Sequence, residues 1–192
     1  MVLRLVVIAV VGGSSAGVSR ADAPGEAAPT TDAGWSPVGV VAELGVITGL
    51  AVGGQLRAGS FGARISGGWN PVFVVVSNSS TLKVESFHAY SSLQLNADLL
   101  ALPLAGAPGA DLGVVGGYRY STVLGHGVFL GLEGQLRRSA RFGFHLQAGV
   151  IYFPSGADRV TRDKGLPANA EYNFPFGAGL QYGATLGVLV FP

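Results

Sequence analysis

The stretch Glu85-Ser86-Phe87-His88-Ala89-Tyr90-Ser91-Ser92 holds the residue types that acyl transfer requires: a hydroxyl nucleophile, an imidazole base and a carboxylate to orient it. Such groups act only within hydrogen-bond reach of one another. In an extended strand His88 and Ser91 point to opposite faces, and Ser92 stands four residues on, about 13 Å along the chain. The stretch is therefore expected to form no catalytic site unless a serine from a neighbouring strand completes it. His88, His126 and His145 are scattered, without the spacing of a metal-ligand set. Gly113-Val114-Val115-Gly116-Gly117 lacks the following helix that a phosphate loop needs, so no cofactor is expected. His126, between Gly125 and Gly127, reads as an exposed hairpin tip, and Asn78-Ser79-Ser80 as a glycosylation sequon of little weight.

A larger set of polar residues recurs at every second position, which is the period of a strand with one wet face. Gln94, Asn96 and Asp98 alternate with Leu93, Leu95, Ala97 and Leu99 within a predicted strand at 87–101. Arg119 opposes Tyr118 and Tyr120 at 112–120. Glu133 and Gln135 alternate with Leu132, Gly134 and Leu136 at 128–137, and His145 and Gln147 with Phe144, Leu146 and Ala148 at 142–152. Residues 38–52, 60–69 and 177–191 predict further strands, the first two carrying Glu43 and Arg64. Residues 72–76 form a short one after the Asn70-Pro71 turn signal. The total is eight.

Composition says what these strands sit in. Of 192 residues 48% are hydrophobic and only 12% charged, against roughly 25% charged in soluble domains. Yet no stretch beyond the N-terminus offers the ~20 apolar residues of a membrane helix, and 31 glycines weigh against a helical bundle. A net charge of +1 and no basic cluster larger than Arg137, Arg138 and Arg141 argue against nucleic-acid binding. Without cysteines there is no disulfide scaffold or thiolate site. A basic start at Arg4, the apolar run 5–11 and small residues around Ala16 and Ala21 have the three-part plan of a secretory leader. The expected organisation is a signal peptide at 1–21, a disordered spacer at 22–36 and one domain at 37–192.

Alternating segments of ~10 residues suit a transmembrane β-barrel, whose strands show one face to lipid and the other to the interior. An even strand number, tight inner turns and longer outer loops put 53–59, 77–83, 122–127 and 154–175 outside, with 70–71, 102–109 and 137–141 inside. Tyr118, Tyr120, Tyr152 and Phe87 then fall at outer strand ends and Trp69, Phe142 and Phe144 at inner ends, as two aromatic girdles.

The chain closes Gly187-Val188-Leu189-Val190-Phe191-Pro192, a final strand ending on an aromatic. This resembles the C-terminal assembly signal of bacterial outer-membrane barrels, although Pro192 follows the aromatic. In plan the chain is similar to the small OmpA/OmpX-type barrels. The resemblance implies an all-β, eight-stranded antiparallel up-and-down barrel in the outer membrane. Its partners would be outer-membrane lipid and, through the last strand, the barrel-assembly machinery. The lipid A deacylase pattern among such barrels needs His and Ser two apart on one face, where Tyr90 follows His88 here.

In a barrel of eight strands the interior is just wide enough for side chains to fill. Glu43, Arg64, Gln94, Asn96, Asp98, Arg119, Glu133, Gln135, His145 and Gln147 would meet there as a structural network, with Glu133 opposite Gln147 and Gln135 opposite His145. The alternatives are a narrow pore, a rim enzyme acting on lipid, and a soluble lipocalin-like barrel, which the scarcity of charge disfavours. The outer loop 155–174 mixes both charges; it reads as solvated and is where an extracellular partner could bind.

Overall fold

A computed structural model describes residues 37–78, 83–105, 109–167, 170–172 and 179–192. The predicted leader and spacer, and Ser79 and Ser80 of the sequon, lie outside them. The described chain runs β1 (Val38–Gly45), β2 (Gly49–Ala58), β3 (Phe61–Trp69), β4 (Val72–Asn78), β5 (Lys83–Tyr90), β6 (Leu93–Ala105), β7 (Ala110–Ser121), β8 (Gly125–Arg137), β9 (Phe142–Tyr152), α1 (Gly156–Lys164), β10 (Ala170–Tyr172) and β11 (Leu180–Val190). Eight strands close an antiparallel barrel in the order β1-β11-β9-β8-β7-β6-β3-β2. The remaining three form a separate sheet, β10-β4-β5.

The period-two pattern does what such a pattern must: leucines and valines stand exposed on the outer wall, while the alternate positions are buried. The eight-strand total holds, but two of its members change. Residues 38–52 are not one strand; they are the hairpin β1–β2, turned at 46–48 with Gly49 at φ +66°, where a side chain would be strained. The break is hidden because Val46, Ile47 and Thr48 are strand formers by type. Ile47 and Thr48 are buried in this turn instead of solvated. The 87–101 segment is likewise not one strand. It breaks at Ser91-Ser92, where alternation continues unbroken while the chain passes from β5, paired with β4, to β6, paired with β3 and β7. Residues 72–76 belong to β4 and leave the barrel altogether. Val72, Val74, Val75 and Val76 are all buried, which is a packed sheet and not a wall with one lipid face.

These changes reverse the first connections. The turns at 59–60 and 138–141 share one end with Pro37, whose carbonyl accepts from Arg57, and with Phe191, which donates to the Arg141 carbonyl. The turn at 46–48, the excursion 70–92, the turn at 122–124 and the connection carrying α1 share the other, loop end. Asn70 there donates to Ser92. The 53–59 and 70–71 assignments were thus each on the wrong side, and Trp69 sits at the loop end with Tyr118, Tyr120 and Tyr152. Phe142 and Phe144 keep the turn end, joined by Phe61. Phe87 is not on the barrel wall but on β5, stacked on Phe73 with ring centroids 5.7 Å apart.

The loop end is covered. The 155–174 segment, expected to be a solvated loop, holds α1, which closes on Gly165 in the left-handed region (φ 65°). Val160 of α1 is buried in one apolar cluster with Val72, Val74 and Val76 of β4, Ile47 and Leu124 of the short turns, Ile151 of β9 and Phe153 just beyond that strand. Burial of a valine-sized side chain is worth about 1.5–3 kcal/mol, enough to hold so short a helix in place.

The corrected strand limits shift the mid-wall position from Leu95, two residues inside β6, to Leu99, which is 72% exposed. In lipid vesicles Leu99→Arg should cost about 2–4 kcal/mol of unfolding free energy and Leu95→Arg less, because the penalty falls towards the interface. Urea unfolding followed by tryptophan fluorescence measures both. Equal tolerance of both variants would reverse the assignment of outer and inner faces.

Candidate functional site

All ten polar residues expected in the interior are buried there. Their centre is Arg64 of β3, whose neighbours come from four other strands. Its guanidinium donates bidentately to Glu133 of β8, Nη1 to Oε1 and Nη2 to Oε2, both at 2.9 Å. Glu43 of β1 lies 3.3 Å from Nε, and Asp98 of β6 lies 3.6 Å from Nη2. Nη1 also donates to His145 Nδ1 at 3.1 Å. The same Nδ1 lies 3.4 Å from Glu133 Oε1, and Nε2 faces Glu43 Oε1 at 3.5 Å, so the imidazole stands between two carboxylates and the guanidinium. The expected cross-strand pairs occur, Glu133 with Gln147 and Gln135 with His145.

Two chains of hydrogen bonds leave this centre. Towards the loop end, Ser66 Oγ donates to Glu43 (2.7 Å), Asn96 to Ser66 (3.1 Å) and Gln94 to Asn96 (2.7 Å). Gln94 also donates to the Ile47 carbonyl (2.8 Å) and accepts from Asn70 (2.6 Å). Towards the turn end, Gln135 donates to Glu133 (3.0 Å) and exchanges bonds with Gln55, while Arg57 donates to Gln135 (3.0 Å) and to Asp111 (2.7 Å). Arg119 donates to Asp98 and lies over the Phe129 ring, 4.5 Å from its centroid. Buried charge must be paired and hydrogen-bonded to be tolerated, and here the fully buried carboxylates Glu43, Asp98 and Glu133 share the guanidiniums of Arg64 and Arg119. Gln55, Ser66, Arg57 and Asp111 were not foreseen in this set. Ser66 follows Arg64 by two, and Gln55 and Arg57 continue the inward face of β2. The second signal was lost with the misplaced first hairpin, which put 53–59 in a loop; the first was legible on the 60–69 strand.

Gly187 admits the imidazole. A Cβ at this position would run into the His145 ring, while the backbone pairing sets Gly187 between Glu43 on one side and His145 on the other.

The stretch around His88 differs from its expectation in one respect. Ser86 and His88 share a face of β5, with Oγ 3.0 Å from Nε2. The serine two residues before the histidine supplies the same-face spacing that Tyr90 denies two residues after it. Ser91 instead accepts from Trp69 Nε1 at 2.9 Å. His126 is not at a hairpin tip; it lies on the outer face of β8, 2.5 Å from the Tyr118 hydroxyl and tilted against Tyr120.

A closed eight-stranded barrel with an apolar wall and an ion-paired interior defines a small β-barrel of the membrane-spanning type. No protein-family model matches the chain, and no curated protein matches it. Among solved structures, the crystal structure of CarO2 from Acinetobacter baumannii aligns with 82% of this chain and 99% of its own at 12% identity and a TM-score of 0.41, a likeness too distant to carry an inference.

Removing one partner from the central pair leaves a buried charge uncompensated, which costs about 3–5 kcal/mol. Glu133→Leu and Arg64→Met should each destabilise the barrel on that scale, and the double variant by less than their sum. Urea unfolding of the three variants gives the coupling. Strict additivity would show that the pair does not anchor the interior.

Proposed function

We propose that this protein is a small outer-membrane barrel of Gram-negative bacteria, exported by its N-terminal leader, with a structural or surface-binding role. The observation that carries this reading is the inverted polarity: Leu, Val and Ile side chains cover the outer wall while Arg64, Glu133 and Glu43 are sealed inside. In water such a wall would be an aggregation surface far beyond the few hundred Å² that soluble monomers expose. In lipid it is the required surface, and a closed ladder leaves no backbone group unpaired in the hydrocarbon. The plan resembles the OmpA/OmpX-type barrels. The two covering elements, the β10-β4-β5 sheet and α1, would then face the medium and carry any binding to an extracellular partner. The last strand, β11, would engage the assembly machinery.

A second reading has one observation in its favour. The Ser86–His88 contact is the first half of a nucleophile–base system, so a rim acyl hydrolase is its specific form. Ser86→Ala should abolish any change in the lipid A mass profile that expression produces. An unaltered profile in cells expressing the wild type would leave the structural reading alone.

The deciding test for the main proposal is electrophoresis of the protein from an outer-membrane fraction, with and without boiling in detergent. The expected outcome is faster migration of the unboiled sample, the mark of a detergent-resistant closed barrel. Recovery in the periplasm or medium without such a shift would overturn the proposal in favour of a soluble barrel.

A further inference from the structure

The turn that joins β8 to β9 carries the basic run Arg137-Arg138-Ser139-Ala140-Arg141. Its backbone is pinned. The N–H groups of Arg138 and Ser139 donate to the Phe142 carbonyl at 2.9 and 3.0 Å, and the Arg141 N–H donates to Ser139 Oγ at 3.3 Å. The Arg141 carbonyl accepts from Phe191, just past β11, at 2.9 Å. So short a turn keeps its side chains at the rim of the barrel. Phe142 opens β9 directly after Arg141 and packs edge-on against Phe144, with ring centroids 4.9 Å apart. Aromatic rings of such a girdle settle where hydrocarbon meets headgroups, so the arginines beside them stand at headgroup depth.

The charge at this rim is one-sided. Asp111 is the one carboxylate side chain there among the described residues, and Arg57 already holds it at 2.7 Å. Arg138 and Arg141 are exposed, and their guanidiniums join no ion pair among the described residues. The interior has no anion to lend, because Glu43, Asp98 and Glu133 are sealed against Arg64 and Arg119. The loop end differs: Asp163 of α1 lies within ion-pair distance of both Arg159 and Arg162. Unmatched positive charge is therefore gathered at the turn end. A guanidinium presents a planar fork that fits a phosphate, and phosphate is what a headgroup layer holds at this depth.

We propose that Arg138 and Arg141 bind the phosphate of an anionic phospholipid headgroup, of the phosphatidylglycerol class, in the leaflet at the turn end. Phe142 and Phe144 lie against the acyl chains below it. An anionic lipid is preferred because a zwitterionic headgroup brings its own cation to the phosphate, whereas an anionic one leaves a net charge for the arginines to neutralise. The proposal rests on the membrane-barrel reading, since the girdle is what sets these side chains at headgroup depth.

One tryptophan at each rim reads the contact. A first protein carries Trp35→Phe, Trp69→Phe and Phe142→Trp; a second carries Trp35→Phe alone and reports from Trp69 at the loop end. Both are folded into phosphatidylcholine vesicles, checked for the heat-dependent mobility shift, and quenched with brominated phosphatidylglycerol or brominated phosphatidylcholine. For Phe142→Trp, half-quenching is expected at a several-fold lower mole fraction of the phosphatidylglycerol, a preference that shrinks in high salt. Trp69 should show no preference. Adding Arg138→Gln and Arg141→Gln to the first protein should bring its two curves together and leave the mobility shift in place. Equal curves for the unaltered turn would overturn the headgroup contact while leaving the membrane reading intact. A preference that survives both arginine substitutions would overturn the role of these side chains, and an equal preference at Trp69 would overturn its confinement to the turn end. Absence of quenching by either lipid at both positions would overturn the membrane reading and the headgroup contact together.

Discussion

The closing ladder between β1 and β11 is the constraint on which the interior depends. A sheet in lipid cannot keep an open edge, because each unpaired backbone group would stand in a medium with no partner for it. The pairing that runs from Val40 with Val190 to Gly45 with Thr185 removes that edge. The same register sets Glu43 beside Gly187, and the β11–β9 register sets Gly187 beside His145. Because Gly187 has no side chain, Glu43 and His145 meet across it, and Arg64 then lies within reach of both. A slip of one residue would turn Glu43 out to the apolar face. Closure and core chemistry are therefore one choice of register.

Why the interior is ionic follows from what the wall must be. Eight strands enclose a space that side chains fill, and the alternation that makes one face apolar sends the other face inward. Charged pairs placed there lose hydration, and replacement of such pairs by apolar groups is often neutral or stabilising in proteins at large. Here the central Arg64–Glu133 pair is bidentate, and the set is tied by amides and hydroxyls from Asn70 at one end to Asp111 at the other. That continuity fixes the register of five strands about Arg64. It also allows apolar packing on the remaining inward positions, where Val115, Phe129 and Ile151 are buried.

Period two made the barrel class and the in-or-out direction of Gln94, Asp98, Arg119, Glu133 and His145 legible, because a side chain's face depends only on local alternation. Strand identity was not legible to the same degree. The count of eight survived two opposite mistakes, a hairpin read as one strand and a covering strand read as part of the wall. Both arose where the markers of a turn are muted: Gly45 and Gly49 flank the first, but the three residues between them are strand formers by type. Ile47 and Thr48 are buried at the covered end, with Thr48 bonded to Thr185 at 3.1 Å, while Val46 faces outward. Ser91-Ser92 keeps the alternation because the chain stays extended while it changes sheets. A turn in water declares itself by glycine, proline and polar residues; a turn covered by other elements does not. The Ser86–His88 contact is less legible for a smaller reason: same-face spacing works in both directions along a strand, and the partner serine lies upstream of the histidine.

The covering sheet also locates the boundary of the lipid. Its order, β10-β4-β5, leaves β5 and β10 as open edges, which hydrocarbon would not tolerate but water does. Lys83 and Glu85 stand on the β5 edge, as charged residues commonly do on exposed edges. One face of the same sheet nonetheless presents Phe73 and Phe87 as a stacked, exposed pair. A layer with wet edges and an aromatic outer face fits the boundary between the headgroup region and the medium. Trp69, Tyr118, Tyr152 and Tyr182 ring the barrel at the same end, and Phe61, Phe142 and Phe144 ring the other. The hydrocarbon then spans the wall between them, with Leu99 and Leu130 at mid-depth.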